Sequence, residues 1–113
     1  MFEVSRETFE QLVADALDRI PERFASEVDN VAFLVDDSGA RPELLGLYQG
    51  VPLTRRAHGV SGSTPDRITL FQRSIERASG TLEELAALVH EVVVHELGHY
   101  FGMEDDRLRE LGW

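Results

Sequence analysis

At 113 residues, with 42% hydrophobic and 28% charged residues, the sequence describes one globular domain over 1–113 rather than a disordered segment. Twenty-one acidic against eleven basic residues leave a net charge of −10, a field that repels nucleic acid and anionic lipid, so neither is expected as a partner. The absence of cysteine excludes disulfides and thiolate ligands, so any metal must be held by histidine and carboxylate.

Ser5 can cap a helix whose apolar residues Phe9, Leu12, Val13, Ala16, Leu17 and Ile20 form a single helical stripe. The start, MFEVSRETFE, is unlike a signal peptide, and no apolar run approaches the ~18 residues of a membrane span. The cytoplasm is therefore the expected location. Pro21 breaks or restarts the first helix. NVAFLVDD then reads as a short buried strand, ended by a turn at Asp36 and Asp37, and LLGLYQG reads as a second strand. In RITLFQR, a third, alternation places Ile68, Leu70 and Gln72 on one face and Arg67, Thr69, Phe71 and Arg73 on the other. Between the last two strands, VPLTRRAHGVSGSTPD is long and rich in Gly, Ser and Pro, and its Arg55 and Arg56 read as a solvated pair. Thr81 and Glu84 form a capping box that opens the longest helix, about 82 to 101. Gly102 ends it, and DDRLREL adds a short turn. Helix, strands and helix make an α+β layout: a small, mostly antiparallel or mixed sheet packed with an N-terminal helix and a long C-terminal helix.

That long helix carries HELGHYFGMED. His95 and His99 are four residues apart, about 40° around a helix and about 6 Å along it, so both imidazoles reach one tetrahedral Zn²⁺. Glu96 is turned by about 100° from His95, which suits a base holding a water better than a ligand. It also falls inside the apolar arc of Leu82, Leu85, Ala86, Val89, Val92, Val93, Leu97 and Tyr100. A carboxylate there is costly unless it is paired or lines a cleft. A catalytic zinc needs a third ligand from beyond the helix. Gly102 can adopt φ > 0 and turn the chain back, so that Asp105 completes H-E-x-x-H-x-x-G-x-x-D. Glu104 and Asp106 are neighbours able to substitute for Asp105, and Glu110 is the one glutamate further downstream.

The remaining candidates read as structural. His90 is about 140° from His95 and cannot share its metal. His58 stands alone in the long loop, Tyr100 belongs to the core, and Met103 packs on the helix cap. Tyr48 can donate to an oxyanion from a strand end, but core packing suits it better.

The sequence resembles the small bacterial zincin-like metallopeptidases. The segments that carry the likeness are FEQLVADALDRIPERF, NVAFLVDD, LLGLYQGVPLTRR, PDRITLFQRSIER and, most specifically, HELGHYFGMEDDRLRELGW. The resemblance implies a compact α+β fold, zinc on His95, His99 and Asp105, and Glu96 as general base. Larger zinc proteases carry a further subdomain with a methionine turn, for which this sequence has little room after His99. The expected function is a zinc-dependent hydrolase, a metallopeptidase acting on a peptide or protein laid beside an edge strand at 67–73, under the 50–66 loop. The alternative is a non-catalytic zinc-binding structural or interaction module, in which the metal ties the C-terminal segment to the helix. A hydrolase of a non-peptide amide is a third, weaker reading.

Overall fold

The computed structural model describes residues 1–52 and 65–111. Helix α1 (Arg6–Asp18) begins where the Ser5 hydroxyl accepts the Thr8 N–H, and it buries Phe9, Val13 and Ala16. Pro21 stands at the N-cap of α2 (Glu22–Ala25), so the chain restarts there in a new direction. Strands β1 (Val31–Asp36), β2 (Gly46–Gln49) and β3 (Asp66–Phe71) form a mixed sheet. They are followed by α3 (Gln72–Arg77), α4 (Leu82–Tyr100) and α5 (Asp105–Leu111). The α+β layout with one long helix near the C-terminal end is thus the observed architecture.

The sheet order is β1-β3-β2, with β1 parallel and β2 antiparallel to β3. The last strand in sequence is therefore the central one, and the expectation that 67–73 forms an edge is corrected: the edge beside the long helix is β2. Ile68 and Leu70 are fully buried on the face toward the helices, which fits a strand flanked on both sides. By contrast, β1 is an edge strand that leaves Leu34 43% exposed, so its apolar run does not mean full burial. Gln72 does not continue the alternation of β3. It opens α3, and its side-chain amide donates to the Val4 carbonyl (3.1 Å) and to Glu76 (3.0 Å). A polar group that must satisfy itself in the interior takes the turn that supplies acceptors.

Helix α4 spans the molecule. The Thr81 hydroxyl accepts the Glu84 N–H at 3.1 Å, and the Glu84 carboxylate reaches back to the Gly80 N–H at 3.3 Å, a capping box shifted by one residue. Leu85, Val89, Val92, Val93 and Leu97 pack against α1 and the sheet to form the core with Phe9, Val13, Ile68, Leu70 and Ile75. Leu82, assigned to the apolar arc by phase, is the first residue of α4 and is 46% exposed, so the buried stripe begins only at Leu85. Tyr100 is fully buried, and its hydroxyl accepts the Asp29 N–H at 3.1 Å, tying the entry to β1 to the end of α4. Among the described residues no helix is long and apolar enough to cross a membrane.

Candidate metal centre

The site is built where α4 stops. The Gly102 N–H bonds to the His99 carbonyl and the Met103 N–H to the Gly98 carbonyl, both at 2.9 Å. Gly102 itself has φ 91°. This is a Schellman cap, whose left-handed residue is glycine because a Cβ would be strained there. The reversal brings Asp105, the first residue of α5, back over the last turns of α4. Asp105 Oδ1 lies 3.3 Å from His95 Nε2 and 3.1 Å from His99 Nε2.

The cap also orients one imidazole. His99 Nδ1 is 3.0 Å from the Met103 carbonyl oxygen. A carbonyl only accepts, so Nδ1 carries the proton and the lone pair of a neutral ring sits on Nε2, facing Asp105. The His95 and His99 rings meet edge to face, their centroids 4.9 Å apart.

Glu96 completes the group. Ligand atoms of His95, Glu96 and His99 lie within 4.8 Å of one another, a spacing that could hold a metal ion. Glu96 is only 8% exposed, inside the apolar arc of the helix. Burial pushes its carboxyl above the ordinary carboxylate range, and Asp105 adds to that push. The two histidines and the backbone N–H of Tyr48 oppose it. That N–H comes from β2. The Phe71 N–H bonds to the Leu45 carbonyl, so odd-numbered residues of β2 face β3 while Gly46 and Tyr48 turn their backbone groups to the free edge. The strand comes this close to α4 because residue 46 is glycine: a Cβ there would stand 2.7 Å from Val92 Cγ1 and 3.2 Å from Glu96 Cγ.

The histidines, Glu96, Asp105, Gly46, Tyr48 and Met103 line one open cleft of about 470 Å³. Glu104 and Asp106 flank Asp105 where the cleft meets solvent. The Tyr48 hydroxyl is not in reserve for an oxyanion, since it donates to the buried Asp66 carboxylate at 2.6 Å. His90 lies apart, in an apolar groove with Arg19 and Phe24, where burial and the Arg19 charge lower its pKa. His58, Arg55 and Arg56 lie outside the described residues. Two site features escaped the sequence reading. The Met103 carbonyl is implied by the Gly102 cap and could have been found from it. The Tyr48 N–H depends on a strand packing that no local pattern encodes.

A solved structure of a conserved hypothetical protein from Thermo thermophilus superposes with a TM-score of 0.61 at 26% identity, covering 87% of this chain and 94% of that one. A search of curated proteins gave no match. The family model described as zincin-like metallopeptidase matches residues 24–113, which include every residue of the cleft. That match, over most of the sequence and centred on the helix just described, places the chain in the zincin-like metallopeptidase family.

Proposed function

We propose that the protein is a zinc-dependent peptidase, with His95, His99 and Asp105 as metal ligands and Glu96 as general base. The donor chemistry fits zinc: two imidazole nitrogens and one carboxylate leave a fourth position for solvent or substrate. Bound there, Zn²⁺ would supply Lewis acidity and make a nearby water acidic near neutral pH.

The observation that carries the reading is Glu96. A carboxylate 8% exposed in an otherwise apolar arc is expensive, and a zinc site that only held the fold together would have no use for it. Its raised pKa suits a group that takes a proton from the attacking water and then delivers it to the leaving amine nitrogen. The Tyr48 N–H fixes where the carboxylate points, and the His99–Met103 bond fixes one ligand ring. An extended peptide would lie in the cleft along the free edge of β2, where Gly46 itself is buried against α4.

Asp105 favours a second reading. As the first residue of α5 it touches both histidines of α4, so an ion held there would tie the two helices whether or not catalysis followed. One experiment separates the two. Zinc-loaded wild type and Glu96→Gln are incubated with a peptide library, and bound zinc and melting temperature are measured on both. The peptidase reading expects cleavage by wild type to exceed that by the variant by about 10²–10⁴-fold, at equal zinc content. Equal or absent cleavage by both, with a melting temperature that falls on chelation, establishes the structural module instead.

A further inference from the structure

On another flank of α4 lies a groove of about 370 Å³ that shares no lining residue with the metal cleft. One wall is the bend from α1 into α2, with Ile20, Pro21 and Phe24, and the other is α4, with Val94, Leu97 and its C-cap Phe101. Ile20, Phe24, Val94 and Phe101 are each only half-buried, so the groove presents apolar surface to solvent. The Phe24 and Phe101 rings, 6.1 Å apart, join the two walls. Phe101 stands about three helical turns beyond His90, so the aromatic pair and that histidine mark opposite ends.

The polar lining is all of one kind. Arg19, Arg23 and His90 line the groove and no aspartate or glutamate does, in a chain with 21 acidic residues. Arg6, Arg41, Arg73 and Arg107 each meet a carboxylate, whereas among the described residues neither Arg19 nor Arg23 has one. Arg23 stacks over the Phe24 ring at 4.8 Å, which leaves its N–H edge able to donate. Burial and the nearby Arg19 charge lower the His90 pKa, which puts that guanidinium and the imidazole at one end of the groove.

We propose that this groove binds a small amphipathic anion, a medium-chain carboxylate. Its apolar chain lies along Ile20, Val94 and Leu97 toward the two phenylalanines, and its carboxylate meets Arg19 beside His90. The dimensions suit a small molecule, since ligand pockets run from about 300 to 1,000 Å³ and are lined mostly by apolar groups with a few polar ones. The apolar floor alone would accept any greasy group; the basic rim selects an anion, through charge-assisted hydrogen bonds. With a net charge of −10, each further negative charge on the ligand is costly, which favours a carboxylate over a phosphate dianion. The same field opposes docking on an anionic membrane. The site needs neither zinc nor Glu96, so it stands or falls apart from the peptidase reading.

The test titrates the full-length protein with decanoate below its micelle concentration, with acetate and decylammonium as controls for tail and head. Affinities are read by calorimetry and the location by methyl NMR. Burial of the chain should make decanoate bind about 100-fold more tightly than acetate. Decylammonium should bind about tenfold more weakly than decanoate, and Arg19→Gln, at an exposed position, should weaken decanoate by about the same factor. Val94→Asp should abolish binding, with its folding checked by circular dichroism. If that variant unfolds, shift changes in wild type confined to the Ile20, Val94 and Leu97 methyls support the groove, and changes elsewhere overturn it. No binding, equal binding of decanoate and decylammonium, or undiminished binding by Arg19→Gln also overturns it. Tighter binding of an apolar peptide with a free C-terminal carboxylate, or sedimentation with zwitterionic vesicles without decanoate binding, replaces the small molecule by a protein or membrane partner and so overturns it too. Peptide cleavage by a protein that does not bind decanoate would remove the groove and leave the peptidase reading intact. Decanoate binding without peptide cleavage would do the reverse.

Discussion

Among the described residues two glutamates are buried, and their surroundings differ sharply. Glu76 on α3 is fully buried, with every contact on it a donor: the Val4 N–H at 2.9 Å, the Gln72 amide at 3.0 Å and the Arg73 guanidinium at 3.3 Å. It pins the N-terminal segment, whose Phe2 N–H also bonds to the Glu76 carbonyl. Glu96 on α4 is nearly as buried, but it faces two imidazoles and a carboxylate, and burial raises its pKa. Burial of a carboxylate therefore does not mark a functional site by itself. What surrounds it does: saturation with donors makes a structural anchor, whereas company of metal-binding type in an open cleft marks the group proposed to react.

This contrast can be broken by exchanging the consequences of the two substitutions. Glu76→Ala strands the Val4 N–H and the Gln72 amide in the interior and should cost about 3 kcal/mol in a denaturant melt, with zinc binding retained. Glu96→Gln removes a buried charge that the histidines and the Tyr48 N–H offset only in part, and keeps an acceptor for that N–H. Metal-free, it should gain ~1 kcal/mol. Destabilisation by both to the same degree would erase the distinction.

Gly46→Ala sharpens it from the side of the strand. The added Cβ overlaps Val92 and crowds Glu96, so β2 must lift from α4. A loss of about 1–2 kcal/mol in stability is expected, with a fall in zinc-dependent cleavage larger than the melt explains, because the Tyr48 N–H moves away from Glu96. The smallest effect concerns His90, the histidine of α4 that lies outside the site. Its folded-state pKa is lowered by burial and by Arg19. The unfolded chain then binds the proton more readily, so the contribution is present above the ordinary histidine range and is lost as pH falls through the lowered value. Thermal melts from pH 7 to 5 should decline slightly more steeply for wild type than for His90→Gln.

What was legible in the sequence was helical and local. The Ser5 and Thr81 caps, the stripe of α1, the intrusion of Glu96 into the apolar arc and the left-handed Gly102 all follow from the geometry of one helix and its ends. Strand existence was legible too, but strand neighbours were not. Nothing in RITLFQR says that it lies between two strands, one parallel and one antiparallel, and nothing there says that Gln72 leaves the sheet to seek Val4 and Glu76.

The sequence by itself thus determined the spacing of His95 and His99, the placement of Glu96 and the reversal that returns Asp105, because each is set within a few turns of backbone by fixed helical geometry. Tertiary structure alone decided that β2 is the edge beside the site and that the Tyr48 N–H steadies Glu96. Those relations join residues some forty or more positions apart. Their energy comes from register and packing, which exist only once the sheet has closed on the helix.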